Sequence, residues 1–136
     1  MAGIDPELRE LLEAANFVTL ATLMGDGAPH ATTVWGGVEG DRACFFTQPG
    51  SLKARNIAAD PRVAMTVIDR DNPYRAGQLR GPVTETVEGD AALEIIDRLS
   101  RKYTGEDFPM RSGVVFLIEP ERSGTMTLPF RHEPAR

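Results

Sequence analysis

The chain has 136 residues, a formal charge of -5, 41% hydrophobic and 26% charged residues and a single cysteine, which leaves room for one domain and little for a second. Its apolar content is too high for a disordered tail, no run approaches the roughly 18 apolar residues of a membrane helix, and the first residues lack the basic-then-apolar order of a signal peptide. One cysteine excludes an internal disulfide framework and, with only His30 and His132, a closed metal site of sulfur and nitrogen ligands; the pI near 5.0 argues against nucleic-acid binding, so any anion site must be built locally.

Asp5-Pro6 starts a helix with Leu8, Leu11, Leu12 and Ala15 as its apolar stripe, expected to end near Asn16. Phe17 to Met24 is β-prone, Gly25-Asp26-Gly27 turns the chain, and Pro29 to Trp35 reads as the second arm of a hairpin. Gly36-Gly37 marks a bulge or a close backbone approach, and Glu39-Gly40-Asp41 turns into a third strand, Arg42 to Thr47. Gln48-Pro49-Gly50 stops it, Ser51 caps a short helix through Asp60, and Asp60-Pro61 breaks that helix before a strand over Arg62 to Ile68. Tyr74 to Val87 is a long strand expected to bulge at Gly77 and at Gly81-Pro82, a curvature that suits a barrel. Asp90 is the expected cap of a third helix, with Leu93, Ile96, Leu99 and Tyr103 on one side and Glu94/Arg98 and Asp97/Arg101 pairs outside. Gly105 to Gly113 is a loop, Val114 to Ile118 a strand, and Gly124 to Leu128 a final edge strand before a weakly structured tail over 129–136. The sum is one mainly β domain over 1–136, with six or seven predominantly antiparallel strands and covering helices.

No dinucleotide fingerprint, phosphate loop or nucleophile elbow is present. Cys44 in Ala43-Cys44-Phe45-Phe46 reads as a small core thiol rather than a nucleophile, and neither histidine is assigned as a general base, so no catalytic side chain is named. The informative segment is Thr47 to Asn56, which sets hydroxyls, an amide and the cations Lys53 and Arg55 around a turn and a helix N-terminus. Free amides there can orient a phosphate, with Ser51 as a further donor or simply the helix cap. The competing reading is a capped surface helix with solvated charges. Trp35 beside Gly36-Gly37 offers a wall for a planar cofactor or serves as a core or dimer-interface tryptophan. Tyr74, Arg75 and Arg80 can reach a pocket or a partner subunit, or only shape turns and an exposed strand.

Taken in order, Phe17 to Leu23, Gly27 to Trp35, Lys53-Ala54-Arg55-Asn56-Ile57, Asp60-Pro61-Arg62-Val63, Asn72-Pro73-Tyr74-Arg75, Arg80-Gly81 and the helix end at Arg101-Lys102-Tyr103 resemble the flavin/deazaflavin oxidoreductase family. The likeness is to its F420-dependent branch, related to the pyridoxamine 5'-phosphate oxidase-like split barrels. The resemblance implies a split β-barrel homodimer, cytoplasmic and without stable membrane insertion, binding F420 in a shared groove and transferring a hydride to a small-molecule substrate. It places Lys53 and Asn56, with Ser51, Arg55 and Thr47, at the cofactor phosphate, and Thr32, Thr33, Val34 and Trp35 along the ring. Tyr74, Arg75 and Arg80 are contributors that can act across the dimer. FMN is the alternative cofactor, and a noncatalytic F420-binding or storage protein the alternative function. Ala76-Gly77-Gln78 departs from the bulkier strand residues that follow Tyr74-Arg75 in the resemblance.

Overall fold

The computed structural model describes residues 3–133; the end of the expected tail, 134–136, lies outside the described residues. Helix α1 (Pro6–Glu13) is followed by strands β1 (Phe17–Leu23), β2 (Pro29–Glu39) and β3 (Arg42–Thr47), helix α2 (Leu52–Ala59), strands β4 (Arg62–Asp69) and β5 (Asn72–Val87), helix α3 (Gly89–Thr104), and strands β6 (Val114–Ile118) and β7 (Arg122–Thr127). The sheet runs β4-β1-β2-β3-β6-β5-β7, and the additional β4–β5 pairing closes six antiparallel strands into a barrel with β7 as an extra strand. Closure depends on the 16 residues of β5, whose first half pairs with β4 and β7 and whose second half crosses to β6. No described helix is long and apolar enough to cross a membrane.

Asp5 caps α1 by accepting the Leu8 amide, and the helix seats Leu8, Leu11 and Leu12 in the barrel core beside Val18, Leu20, Met65 and Leu79. It ends at Glu13 rather than near Asn16, because its last carbonyls find other donors: Asn16 Nδ2 bonds Leu11 O at 3.0 Å and Lys102 Nζ bonds Leu12 O at 2.8 Å. From the other side α2 adds Ala54 and Ile57 to the same core. Helix α3 lies outside the barrel, where Ala92, Ile96 and Leu99 bury a second cluster with Cys44, Val115 and Leu117.

Gly36 and Gly37 mark close approach rather than a bulge: β2 runs on in regular register, and an added Cβ would meet Val18 Cγ2 at 2.8 Å or Leu99 Cδ2 at 2.6 Å. Gly77 likewise makes room for Leu8; the register of β5 shifts against β4 just before it, between the Ile68–Ala76 and Asp69–Asn72 pairs, and again against β6 just past Gly81-Pro82, between Val83 and Glu85. Asp90 is not the cap of α3, which starts earlier: Glu88 occupies that position without a side-chain bond, and Asp90 sits in the first turn. The expected pairs along α3 are also replaced. Arg98 binds Glu39 at 2.6 Å, Arg101 binds Asp107 at 2.6 Å, and Asp97 receives Arg111 at 2.9 Å, because carboxylates across the chain offer better geometry than neighbours one turn away.

Candidate cofactor-binding site

Gln48-Pro49-Gly50-Ser51 forms a turn in which proline presets the first central residue, Gly50 takes φ of 78°, and the Ser51 amide bonds Gln48 O at 3.2 Å. The Gln48 side chain is clamped to Ser112, donating to its carbonyl at 2.9 Å and accepting its hydroxyl at 2.8 Å, so the turn is held at both ends. Ser51 caps α2. Its Oγ accepts the Ala54 amide at 3.3 Å and the Thr47 hydroxyl at 3.0 Å, which leaves its own proton to donate outward. The first-turn amides of Leu52 and Lys53 take no acceptor among the described residues, and neither Lys53 nor Arg55 pairs there with a carboxylate. The Ser51 hydroxyl, the free amides of Leu52 and Lys53 and the Lys53 ammonium are therefore donors gathered at one helix start, with Thr47 holding Ser51 in place, a set that fits a phosphate group.

Asn56 lies on the inner side of α2, its Nδ2 bonded to Thr22 Oγ1 at 3.0 Å and close to Met24 Sδ at 3.4 Å. Thr22 stands opposite His30 in the β1–β2 ladder, which brings the start of β2 beside α2. There two buried atoms, His30 Nδ1 and Thr32 Oγ1, have no hydrogen-bond partner among the described residues. A buried polar atom without a partner calls for a ligand or water to complete it. His30, to which the sequence assigns no role, shares this strand face with Thr32; their period-two spacing is the signal that links the two.

The opposite face of β2 carries Ala31, Thr33 and Trp35. Thr33 lines up with Thr19, Thr66 and Gln78 across β1, β4 and β5, and Ala31 with Ala21 and Ala64. The short side chains of Ala21, Ala31, Ala64, Thr19, Thr33 and Thr66 form a floor on which a planar ring can lie, bounded on β5 by the longer Gln78. The floor ends where α3 covers β2: Trp35 stacks on Tyr103 at 5.2 Å and 11° and meets Phe46 and Phe108 edge-on at 6.1 Å. Val34 turns its side chain into the core and offers only backbone to a ligand.

The remaining candidates stand apart from the α2 turn. Arg75 ties α1 to the barrel through Glu7 at 3.0 Å, Glu10 at 3.4 Å and Asp69 at 3.5 Å. Its guanidinium and the Thr125 hydroxyl hold the Glu7 carboxyl below its ordinary value. Tyr74 packs edge-on against Phe130 at 5.3 Å. Arg80 is exposed on the outer face near the far end of β5's pairing with β7, opposite Arg122. Cys44 is fully buried, and burial pushes its thiol up to about 11, which suits packing rather than nucleophilic attack.

A closed six-stranded antiparallel barrel with one extra strand is a split-barrel fold, related to that of flavin- and deazaflavin-binding oxidoreductases. The family model for pyridoxamine 5'-phosphate oxidase matches residues 4–126, and the chain belongs to that family. It is 33% identical to a solved F420 reductase, with TM-score 0.76, over 85% of this chain and 94% of that one. A conserved hypothetical protein from Mycobacterium tuberculosis is 26% identical, with TM-score 0.79, over 99% of this chain and 93% of its own. A pyridoxine/pyridoxamine 5'-phosphate oxidase from Alcanivorax borkumensis is 35% identical over 65 residues, 47% of this chain; the match spans only 31% of that enzyme's length.

Proposed function

We propose that the chain is an F420-dependent oxidoreductase that acts as a homodimer on a small organic acceptor. The observation that carries this reading is the 33% identity to an F420 reductase, which leaves little of either chain outside the match. When bound, the deazaflavin supplies the hydride-transferring centre; the protein supplies placement and electrostatics. Lys53, the Ser51 hydroxyl and the free amides of α2 hold the phosphate. Thr33 and Ala31 support the ring, and the Trp35 wall limits its travel along β2.

The dimer reading draws on a row of apolar residues across the outer face. Phe17 and Ile68 stand one position beyond the Val18–Val67 pair, and Ile68 continues through Ala76 to Met126. Phe17, Ile68 and Met126 are 54%, 49% and 63% exposed, a cost that a second copy over this face would remove. The floor beside β2 would then become a groove between subunits.

Titration of the purified protein with F420 and FMN tests the reading. Tighter binding of F420, followed by an acceptor-dependent change in the absorption of the reduced cofactor, is the expected result. Saturable FMN binding without F420 binding overturns the cofactor assignment, and F420 binding without turnover across a broad acceptor panel favours the storage alternative.

A further inference from the structure

Arg80 on β5 and Arg122 on β7 are direct antiparallel partners, with both side chains exposed on the outer face of the sheet. Like charges placed directly opposite each other destabilise a strand pair. Arg9, Arg42, Arg62, Arg75, Arg98, Arg101, Arg111 and Arg131 pair with carboxylates, whereas Arg80 and Arg122, like Arg55 and Arg70, do so nowhere among the described residues; of these four only Arg80 and Arg122 stand directly opposite each other. Glu121, the nearest acid in sequence to Arg122, gives Arg80 only its amide, bonded to the Arg80 carbonyl at 3.0 Å.

Around the pair the sheet opens a cleft of about 480 Å³, lined also by Ala64, Thr66, Gln78 and Gly124. The volume exists because the neighbours of the two long side chains are short: Ala64 lies opposite Arg80 on β4, and Gly124 lies two residues from Arg122 on β7. Two guanidiniums, a threonine hydroxyl and a glutamine amide thus face one space with no negative charge to receive them. We propose that Arg80 and Arg122 form an oxyanion-binding site, separate from the α2 turn, that takes the phosphate or carboxylate group of a small-molecule ligand. The forked donors of two arginines suit the paired oxygens of either group, and the bound charge converts a repulsive strand pair into a bridged one.

The test uses the full chain, labelled with nitrogen-15, and follows the arginine Nε–H resonances during titration with inorganic phosphate and with succinate, against sodium chloride at matched ionic strength. Saturable shifts at Arg80 and Arg122 that chloride does not produce are expected. Arg122→Gln should weaken binding roughly tenfold, as the loss of a charge-assisted partner predicts, while Lys53→Ala leaves it within about twofold. Tighter phosphate binding identifies a phosphate ester as the ligand class and tighter succinate binding a carboxylate; either supports the site. Melting temperature supplies an independent readout: Arg122→Gln should melt higher than the wild type in low-salt buffer without phosphate, and the order should reverse in saturating phosphate. Absence of saturable shifts, shifts shared with chloride, or binding lost in Lys53→Ala but kept in Arg122→Gln overturns the proposal. So does an Arg122→Gln protein that melts lower without phosphate and dissociates to monomer, since the pair would then serve a carboxylate of a second copy.

Discussion

At Gly81 an added Cβ would lie 1.9 Å from the carbonyl oxygen of Glu119, whereas at Gly124, on the neighbouring strand, nothing stands within 4 Å. Backbone cannot move aside as a side-chain tip can, so Gly81→Ala should lower the denaturation free energy by more than ~2 kcal/mol, with Gly124→Ala within about 0.5 kcal/mol of wild type. Chemical denaturation of both variants checks the contrast, and equal losses would show that strand propensity, not contact, sets the glycine requirement. Lys53 poses the opposite kind of case, since it makes no ion pair among the described residues. Lys53→Ala should leave stability unchanged within about 0.5 kcal/mol yet weaken F420 about tenfold or more, with little effect on a cofactor fragment that lacks the phosphate. Equal losses for cofactor and fragment in paired calorimetric titrations would remove Lys53 from the phosphate site. Both residues were singled out by the sequence, but their contacts were not: the Glu119 carbonyl comes from 38 positions along the chain, and no local pattern announces it.

Helix α3 was legible as an amphipathic segment, and its contribution to the site is made at its last turn. Lys102 donates to the carbonyls of Leu12 and Gly36, and the Tyr103 hydroxyl bonds Asn16 and Gly36, so one dipeptide locks the end of α1, the entry to β1 and the stretch of β2 beside Trp35. Burial lowers Lys102 from 10.5 to about 8. The folded chain therefore releases this proton first, and between about 8 and 10.5 the unfolded chain binds more protons, so the Lys102 contribution makes stability rise with pH across that window. Cys44 acts with the opposite sign: burial raises it from 9.0 to about 11, the folded chain keeps the proton longer, and its contribution falls as pH climbs through that range. Of these two groups only Lys102 acts between pH about 8 and 9.0. The denaturation midpoint should rise over that interval in the wild type and stay flat in Lys102→Met; an unchanged slope in the variant would assign the effect elsewhere. Lys102→Met should also cost about 1–3 kcal/mol, because the carbonyls of Leu12 and Gly36 lose a buried donor.

For the whole molecule, the closed barrel leaves one side unfinished: the outer face of β2, β1, β4, β5 and β7, with its floor, its apolar row and the Arg80–Arg122 cleft. The homodimer reading predicts a solution mass near twice 14.8 kDa. Ile68→Asp puts a charge into the centre of the apolar row without touching the core, so it should shift the dimer towards monomer by at least about tenfold in concentration and weaken F420 in parallel. Sedimentation of wild type and variant at several concentrations tests this, and a monomeric wild type that binds F420 fully would remove the shared groove. The element order was largely readable in advance: β3 and β6 begin and end where turn residues and β-branched runs place them, and Ser51 caps α2 as its spacing requires. Of the site, the α2 turn was readable because Thr47, Ser51 and Lys53 are neighbours in sequence. The commitment of Asn56 to Thr22 and of Arg75 to Glu7 was not, since each partner lies on a distant element.

The sequence by itself determined the antiparallel strands, the three helices and the turn with phosphate-fitting chemistry, because those depend on alternation, caps and turn residues within a few positions of one another. Only the tertiary structure decided that β5 closes the barrel by changing partners, that His30 and Thr32 keep buried atoms unpaired, and that Arg80 faces Arg122. Register between strands far apart in the chain sets each of these, and register is fixed by the packing of the whole core rather than by any one segment.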